Sequence, residues 1–149
     1  MIGGLVHSAD FQRVLATAPK ARSAHFAAHH ASGPPRRSRR PASEDVEPKL
    51  STGCAEDGHI LVDKPRVVDL WAGFVIPKRL ARRAVTRQLI KRQMREALRR
   101  HASTLAPGLW VLRLRAGFDR ATYVSAASAA LRAAARTELD ALLASASRR

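Results

Sequence analysis

The sequence predicts an α+β domain, a small two-layer sandwich with helices packed on one sheet. Three observations carry that prediction. Residues 66–76 and 109–115 place large apolar side chains on one face at the period of a strand, the segment between them has the period of an amphipathic helix, and both flanks read as helical. The order is helix, strands, helix, strand, helix.

Ser8 is placed to cap a first helix in which Phe11, Val14 and Leu15 share one face, and Pro19 ends it. Residues 22–30 read as extended around Phe26. From 32 to 65 the chain turns to Pro, Gly, Ser and mixed charge with few large apolar residues. A structureless connection longer than about 15 residues is uncommon inside a compact domain, so this stretch reads as an unstructured insertion tethered at both ends. In RVVDLWAGFVI, Val68, Leu70, Ala72, Phe74 and Ile76 fall on one strand face, and Pro77 closes the strand. Strong helix formers from Arg83 to His101 give the second helix. Pro107-Gly108 marks a turn into the strand Leu109–Arg115, with Trp110, Leu112 and Leu114 on one side. The Ala-rich end, about Ala121 to Ala144, reads as one long helix in which Tyr123, Ala126, Ala127, Ala130, Leu131 and Ala134 precede Leu139, Leu142 and Leu143. The 149 residues therefore form a single domain, its core over 8–31 and 66–143.

Composition narrows the function. There are 27 Lys and Arg against 12 Asp and Glu, a net charge of +15. One cysteine, Cys54, excludes an intrachain disulfide and a multi-Cys zinc site. No apolar run reaches the length of about 18 residues needed to span a bilayer, and the first residues lack a basic segment followed by an apolar one. The expectation is a soluble, cytoplasmic protein with a polyanionic partner. The charge is concentrated. Ten Lys and Arg lie in residues 78–100 against Glu96 as the sole acid, which places +9 of the total in 23 residues.

On a helical wheel Lys91, Arg92, Arg95 and Arg99 occupy one sector, beside Ile90, Met94, Ala97 and Leu98 on the core side. Arginines four residues apart repel by a few tenths of a kcal/mol per pair, a cost that a polyanion removes. The rise of about 6 Å per four residues is comparable to the spacing of phosphates along a strand. Neutralising six to ten phosphates would make affinity fall roughly 10³- to 10⁵-fold between 50 and 200 mM salt. A solvated face of no purpose is the competing reading, and the density of charge disfavours it.

Catalytic groups are scarce. Six of the twelve acids, among them Glu44, Asp45, Glu47 and Asp57, fall in the insertion, where no scaffold would hold a metal site. His25, His29 and His30 sit on an extended segment, without the helical spacing of a ligand pair. No Gly-rich phosphate loop, Ser-His-Asp arrangement or HExxH occurs. Cys54 reads as an unpaired thiol, and PPRRSRRP at Pro34–Pro41 as a linker or an auxiliary RNA-touching arm.

The residue order of the basic helix says more. AVTRQLIKRQMREALR, Ala84–Arg99, resembles the signature of the bacterial ribonuclease P protein subunit, in which Ala-Val precedes Arg-Asn-Arg, an apolar residue, Lys-Arg, and Arg-Glu-Ala-Phe/Leu-Arg. DFQRVL at Asp10–Leu15, the His25-Phe26 pair, GFVIPKR at Gly73–Arg79 and PGLWVLRLR also resemble family segments. The chain departs from the pattern at Gln88, which lengthens the usual amide, and at Leu89, where an arginine is usual.

The resemblance implies a ribosomal-protein-like fold with a left-handed strand-helix-strand crossover. It further implies that the protein is not the catalyst. A catalytic RNA subunit, using magnesium ions, removes the 5′ leader of precursor tRNA, and the protein assists without a cofactor of its own. Carried over by position, Arg83, Arg87, Gln88, Lys91, Arg92 and Arg95 would face the RNA subunit. Phe11, Leu15, Phe26 and His29 would line a cleft for the leader, with Lys78 or Arg79 at its edge. Aromatic stacking suits leaders of varied sequence, being worth roughly 1–3 kcal/mol per base whatever the base. Neither a membrane nor DNA is expected as a partner. The alternatives are a ribosome-associated structural RNA binder and a DNA-compacting basic protein.

Overall fold

A computed structural model describes residues 2–36 and 70–148. The insertion beyond Arg36, with Cys54 and its acids, lies outside the described residues, as does the 66–69 end of the strand read over 66–76. The elements are β1 (Ile2–Gly4), α1 (Ser8–Leu15), β2 (Ala21–Arg22), β3 (Phe26–Ala31), β4 (Leu70–Val75), α2 (Ala84–His101), β5 (Gly108–Leu114) and α3 (Ala129–Ser147). They build a five-stranded mixed sheet in the order β1-β4-β5-β3-β2. The neighbours β4 and β5 are parallel and joined through α2, the expected strand-helix-strand crossover, while β3 is antiparallel to both β5 and β2. The α+β class holds.

Three local readings need correction. Ser8 is the first residue of α1 and not its cap; His7 holds the capping position with no side-chain hydrogen bond, and Asp10 supplies an acid in the first turn. The last helix begins at Ala129, later than Ala121. Residues 119–122 turn back instead, because Asp119 accepts hydrogen bonds from the Ala121 amide at 3.0 Å and the Thr122 hydroxyl at 2.9 Å. Ser128 then caps α3, its Oγ accepting from the Leu131 amide at 3.0 Å. Finally, β1 has no counterpart in the sequence reading. It is three residues long with two glycines, and it exists through parallel pairing of Ile2 with Leu70 and Ala72 with Gly4, a contact across the whole insertion.

Strand alternation sorts the core into two layers. Phe26 and Ala28 of β3, Trp110, Leu112 and Leu114 of β5, and Leu70 and Ala72 of β4 face α2 and α3, where they meet Ile90, Met94, Leu98, Leu131, Leu139 and Leu143. Sheet and long helices make the two-layer sandwich the sequence predicts, and α1 adds a further cover on the other face. The other face carries Ala31, Leu109 and Val111, covered by Val14, Phe11 and Leu15 of α1 together with Leu5. The fit of α1 depends on Gly73, since a Cβ there would lie 2.7 Å from Cζ of the Phe11 ring.

Glu138 ties α3 to the β2–β3 turn. Its carboxylate accepts from the Ser23 hydroxyl and the His25 amide, both at 2.6 Å, and from His25 Nδ1 at 2.7 Å, which must therefore carry the proton. Burial alone would raise the pKa of this group, but the hydrogen bonds from Ser23 and His25 outweigh it and hold the carboxyl below its ordinary value. Two residues further along α3, Asp140 accepts from Arg100 Nη2 at 2.8 Å and His101 Nε2 at 3.2 Å, joining the two long helices.

Two outcomes test this packing. Gly73→Ala should lower the unfolding free energy by about 1–3 kcal/mol, and by less in a Phe11→Ala background; equal losses in the two backgrounds would show that the ring is not what the methyl meets. A lowered folded pKa means that the carboxylate stabilises the fold above its unfolded value and that this contribution disappears as pH falls through the folded value. Glu138→Gln should therefore cost roughly 1 kcal/mol near neutrality, and in urea titrations the gap to wild type should close below pH 4.5, the ordinary value. A gap independent of pH would contradict the assignment.

Candidate nucleic-acid interface

Helix α2 presents its charge outward because its inner positions are all consumed by the core. Ile90, Met94, Ala97 and Leu98 are buried as the wheel required, and Leu89 and Gln93 extend the buried stripe toward α3. Leu89 thus replaces a family arginine with a core side chain. Gln88 beside it is exposed.

The expected RNA-facing residues divide by what holds them. Lys91, Arg92, Arg95 and Gln88 are exposed on the outer face, with Arg99 one turn further on. Arg92 is paired to Glu96 at 2.9 Å, and that contact holds the Glu96 carboxyl below its usual range. The Arg95 guanidinium lies 6.0 Å from the centre of the Phe74 ring, a position that fixes its direction while leaving its hydrogen-bond donors outward. No ion pair among the described residues engages Lys91, Arg95 or Arg99. The three stand between two hollows of about 330 and 570 Å³, the first floored by Gly3 and Gly4 of β1 and the second reaching Arg132 of α3.

Arg87 and Arg83 are different. Arg87 is half-buried, and its Nη1 donates to the carbonyls of Ala81 at 2.9 Å and Arg82 at 2.7 Å, so it braces the loop that enters α2. Arg83 is exposed and donates from Nη1 to the Val124 carbonyl at 3.2 Å.

The residues expected to form one cleft are not brought together. Phe11, Leu15 and His29 are on the α1 face of the sheet, Phe11 and Leu15 half-buried. Phe26 is on the opposite face, 0% exposed in the core under α2 and α3, because residues 26 and 29 of one strand point to opposite sides. It cannot touch a ligand beside Phe11. His29 is also largely buried, with Nδ1 donating to the Thr17 carbonyl at 3.0 Å. Lys78 and Arg79 are exposed in the turn after β4, and Arg79 faces a different cleft, shared with Arg82 and Arg83.

What the α1 face does hold is a second basic group that the sequence reading passed over. The register pairs Arg22 with Ala27, Ala27 with Arg113, and Arg113 with Val75, so these side chains form one row across four strands. Arg22, Ala27 and Arg113, with Arg115, Pro19 and His29, line a hollow of about 220 Å³. Arg113 and Arg22 are exposed, and Ala27 between them is too short to fill the space. The signal was present: in LWVLRLR the arginines fall on the face opposite Trp110, Leu112 and Leu114. Among the described residues no group of three His, Cys, Asp or Glu could hold a metal ion, and no helix is long and apolar enough to cross a membrane.

The fold and these surfaces define a small basic α+β protein with two separate cationic faces, one on the outside of a helix and one on the far face of the sheet. The family model for ribonuclease P matches residues 4–138, and the chain belongs to that family. It is 44% identical over 84 residues to the ribonuclease P protein component of Burkholderia pseudomallei, covering 56% of this chain and 62% of the relative. To the corresponding component of Paraburkholderia xenovorans it is 38% identical over 89 residues, 60% of this chain and 64% of the relative. The chain thus spans less than two thirds of the length of these curated relatives. In fold it is similar to the RNase P protein of Staphylococcus aureus, with a TM-score of 0.53 at 17% identity over 95% of this chain and 92% of that one. A second structure of that protein gives 0.51 at 18% identity, covering 96% and 87%.

Proposed function

We propose that the chain is the protein subunit of a ribonuclease P ribonucleoprotein, and that its two cationic faces serve two different RNAs. The observation that carries this reading is the separation of the faces in a chain of this family. The outer side of α2 offers Lys91 and Arg95, with Gln88 and Arg92 at its margins, to the phosphates of a structured catalytic RNA. Arg83 and Arg87 shape the loop that enters this helix. The α1 face offers an aromatic and apolar edge, Phe11 and Leu15, beside the basic row of Arg22 and Arg113. That combination suits a single strand such as the 5′ leader of precursor tRNA, with bases on the apolar edge and phosphates on the arginines. His29 positions the floor of this groove, and Lys78 stands near its end.

In this reading the bond is broken by the RNA subunit, whose magnesium ions supply the hydrolytic chemistry. The protein contributes binding and orientation. Its place is the cytoplasm, where precursor tRNA is made and trimmed.

The test is reconstitution with a bacterial-type catalytic RNA at limiting magnesium, following release of the leader. The protein should accelerate cleavage. Arg95→Ala should weaken binding to the RNA subunit and reduce the slope of log affinity against log salt by about one. Arg113→Ala should leave that slope unchanged and weaken binding of precursor relative to mature tRNA. Absence of stimulation would overturn the reading, as would cleavage by the protein alone.

A further inference from the structure

Beyond these two faces the molecule has a third basic concavity, the largest of the hollows described, at about 730 Å³. Its walls are two loops. One is the segment 79–83 between β4 and α2, and the other is 118–126 between β5 and α3. They close on each other at the base, where Gly117 packs so tightly against Leu80 that a Cβ would lie 2.7 Å from the Leu80 carbonyl oxygen. They are tied again at the mouth of α2, where Thr86 Oγ1 donates to the Ala126 carbonyl at 2.8 Å and Arg83 Nη1 to the Val124 carbonyl at 3.2 Å. The two walls are therefore fixed to each other by hydrogen bonds that run from the start of α2 to the second loop.

Its lining has two chemistries. The half-buried Phe118 and Tyr123, their rings edge to face at 5.7 Å, give an aromatic wall above the buried Ile90 and Leu131, and His25 stacks on one face of Phe118 at 4.1 Å, leaving Tyr123 as the ring for a base. Arg79, Arg82, Arg83 and Arg120 give a cationic rim, and no carboxylate is among the lining residues. The nearest acid in sequence, Asp119, is engaged by the Ala121 amide and the Thr122 hydroxyl, hydrogen bonds that hold it ionised below its ordinary range. None of the four arginines has an ion-pair partner among the described residues.

A pocket of a few hundred Å³ with an aromatic interior and guanidinium groups at the entrance matches an unpaired nucleotide, base inward and phosphate at the rim. We propose that this cleft seats a single unpaired nucleotide extruded from a bound RNA, a contact separate from both the outer face of α2 and the α1 face. The inference rests on the reading that the chain binds RNA. A duplex can reach the arginines but cannot fill the interior, so the site distinguishes a bulged RNA from a fully paired one.

The experiment measures binding of the full chain, at fixed salt, to two RNA hairpins that differ by one bulged 2-aminopurine nucleotide. The bulged hairpin should bind roughly tenfold tighter, the size expected for one stacked base, and its 2-aminopurine fluorescence should be quenched on binding. Tyr123→Ala should abolish both the preference and the quench, Tyr123→Phe should retain them, and Arg120→Gln should reduce the preference by lowering affinity for the bulged hairpin more than for the paired one. Arg120 is exposed outside every helix and strand, so its variant keeps the test open if Tyr123→Ala does not fold. Equal affinity for the two hairpins would overturn the proposal, as would a preference that survives both Tyr123→Ala and Arg120→Gln. Failure to bind either hairpin would instead overturn the broader reading of RNA binding.

Discussion

Everything in this molecule depends on covering β5 from both sides. Leu109, Trp110, Val111, Leu112 and Leu114 of that central strand are all 0% exposed, in a chain that carries +15. A strand so apolar on both faces is stable only between two layers, and the chain supplies unequal ones. The long helices α2 and α3 cover one face along its whole length. On the other, the eight residues of α1 reach about 12 Å, enough for Leu109 and Val111 but not for the end of the strand. That end is where the apolar alternation gives way to Arg113. The groove on the α1 face is what remains when a short helix covers a longer strand, and the same shortfall sets arginines where an anion can reach them.

The cationic face of α2 follows from the same packing. With six of its side chains buried against the sheet and α3, the helix has nowhere to put its basic residues but outward. Glu96 relieves Arg92 locally, and Asp140 on α3 relieves Arg100 and His101 at the C-terminal end. Lys91, Arg95 and Arg99 have no such acidic partner among the described residues. Self-repulsion of this kind opposes the compact state and is removed when phosphates take the place of counterions, so binding and folding favour each other. Tryptophan burial works in the opposite sense: Trp110, fully buried with its Nε1 donating to the Ala106 carbonyl at 2.8 Å, anchors the core, and the Lys20 ammonium lies 5.4 Å from the centre of its ring.

How much of this was legible in the sequence depended on whether the signal was local. The alternation in β5 and the apolar stripe of α2 are periodic over many residues, and both were read correctly. The start of α3 was misplaced because alanine favours helix everywhere and marks no beginning; the marks are Asp119 and Ser128, single polar residues that bind the backbone. Strand β1 was invisible because three residues with two glycines carry no period, and its partner lies across the insertion. At the site, the basic residues of α2 were read from spacing, yet Arg87 turned out to brace a loop through two carbonyls, which spacing cannot show. Phe26 was grouped with Phe11 by resemblance, although strand parity already sets Phe26 with Ala28 and apart from His29. The row of Arg22 and Arg113 needed the register between β2, β3 and β5, which is a property of the folded sheet.

The central claim is that two faces hold two RNAs, and site-directed photocrosslinking in the assembled ribonucleoprotein tests it most directly. A photoreactive side chain at Gln88, exposed on α2, and another at Arg22, exposed on the α1 face, would be compared in the presence of catalytic RNA and precursor tRNA. The account predicts that Gln88 marks the catalytic RNA and Arg22 the leader of the precursor. Crosslinks from both positions to the same RNA segment, or an exchange of the two targets, would contradict it.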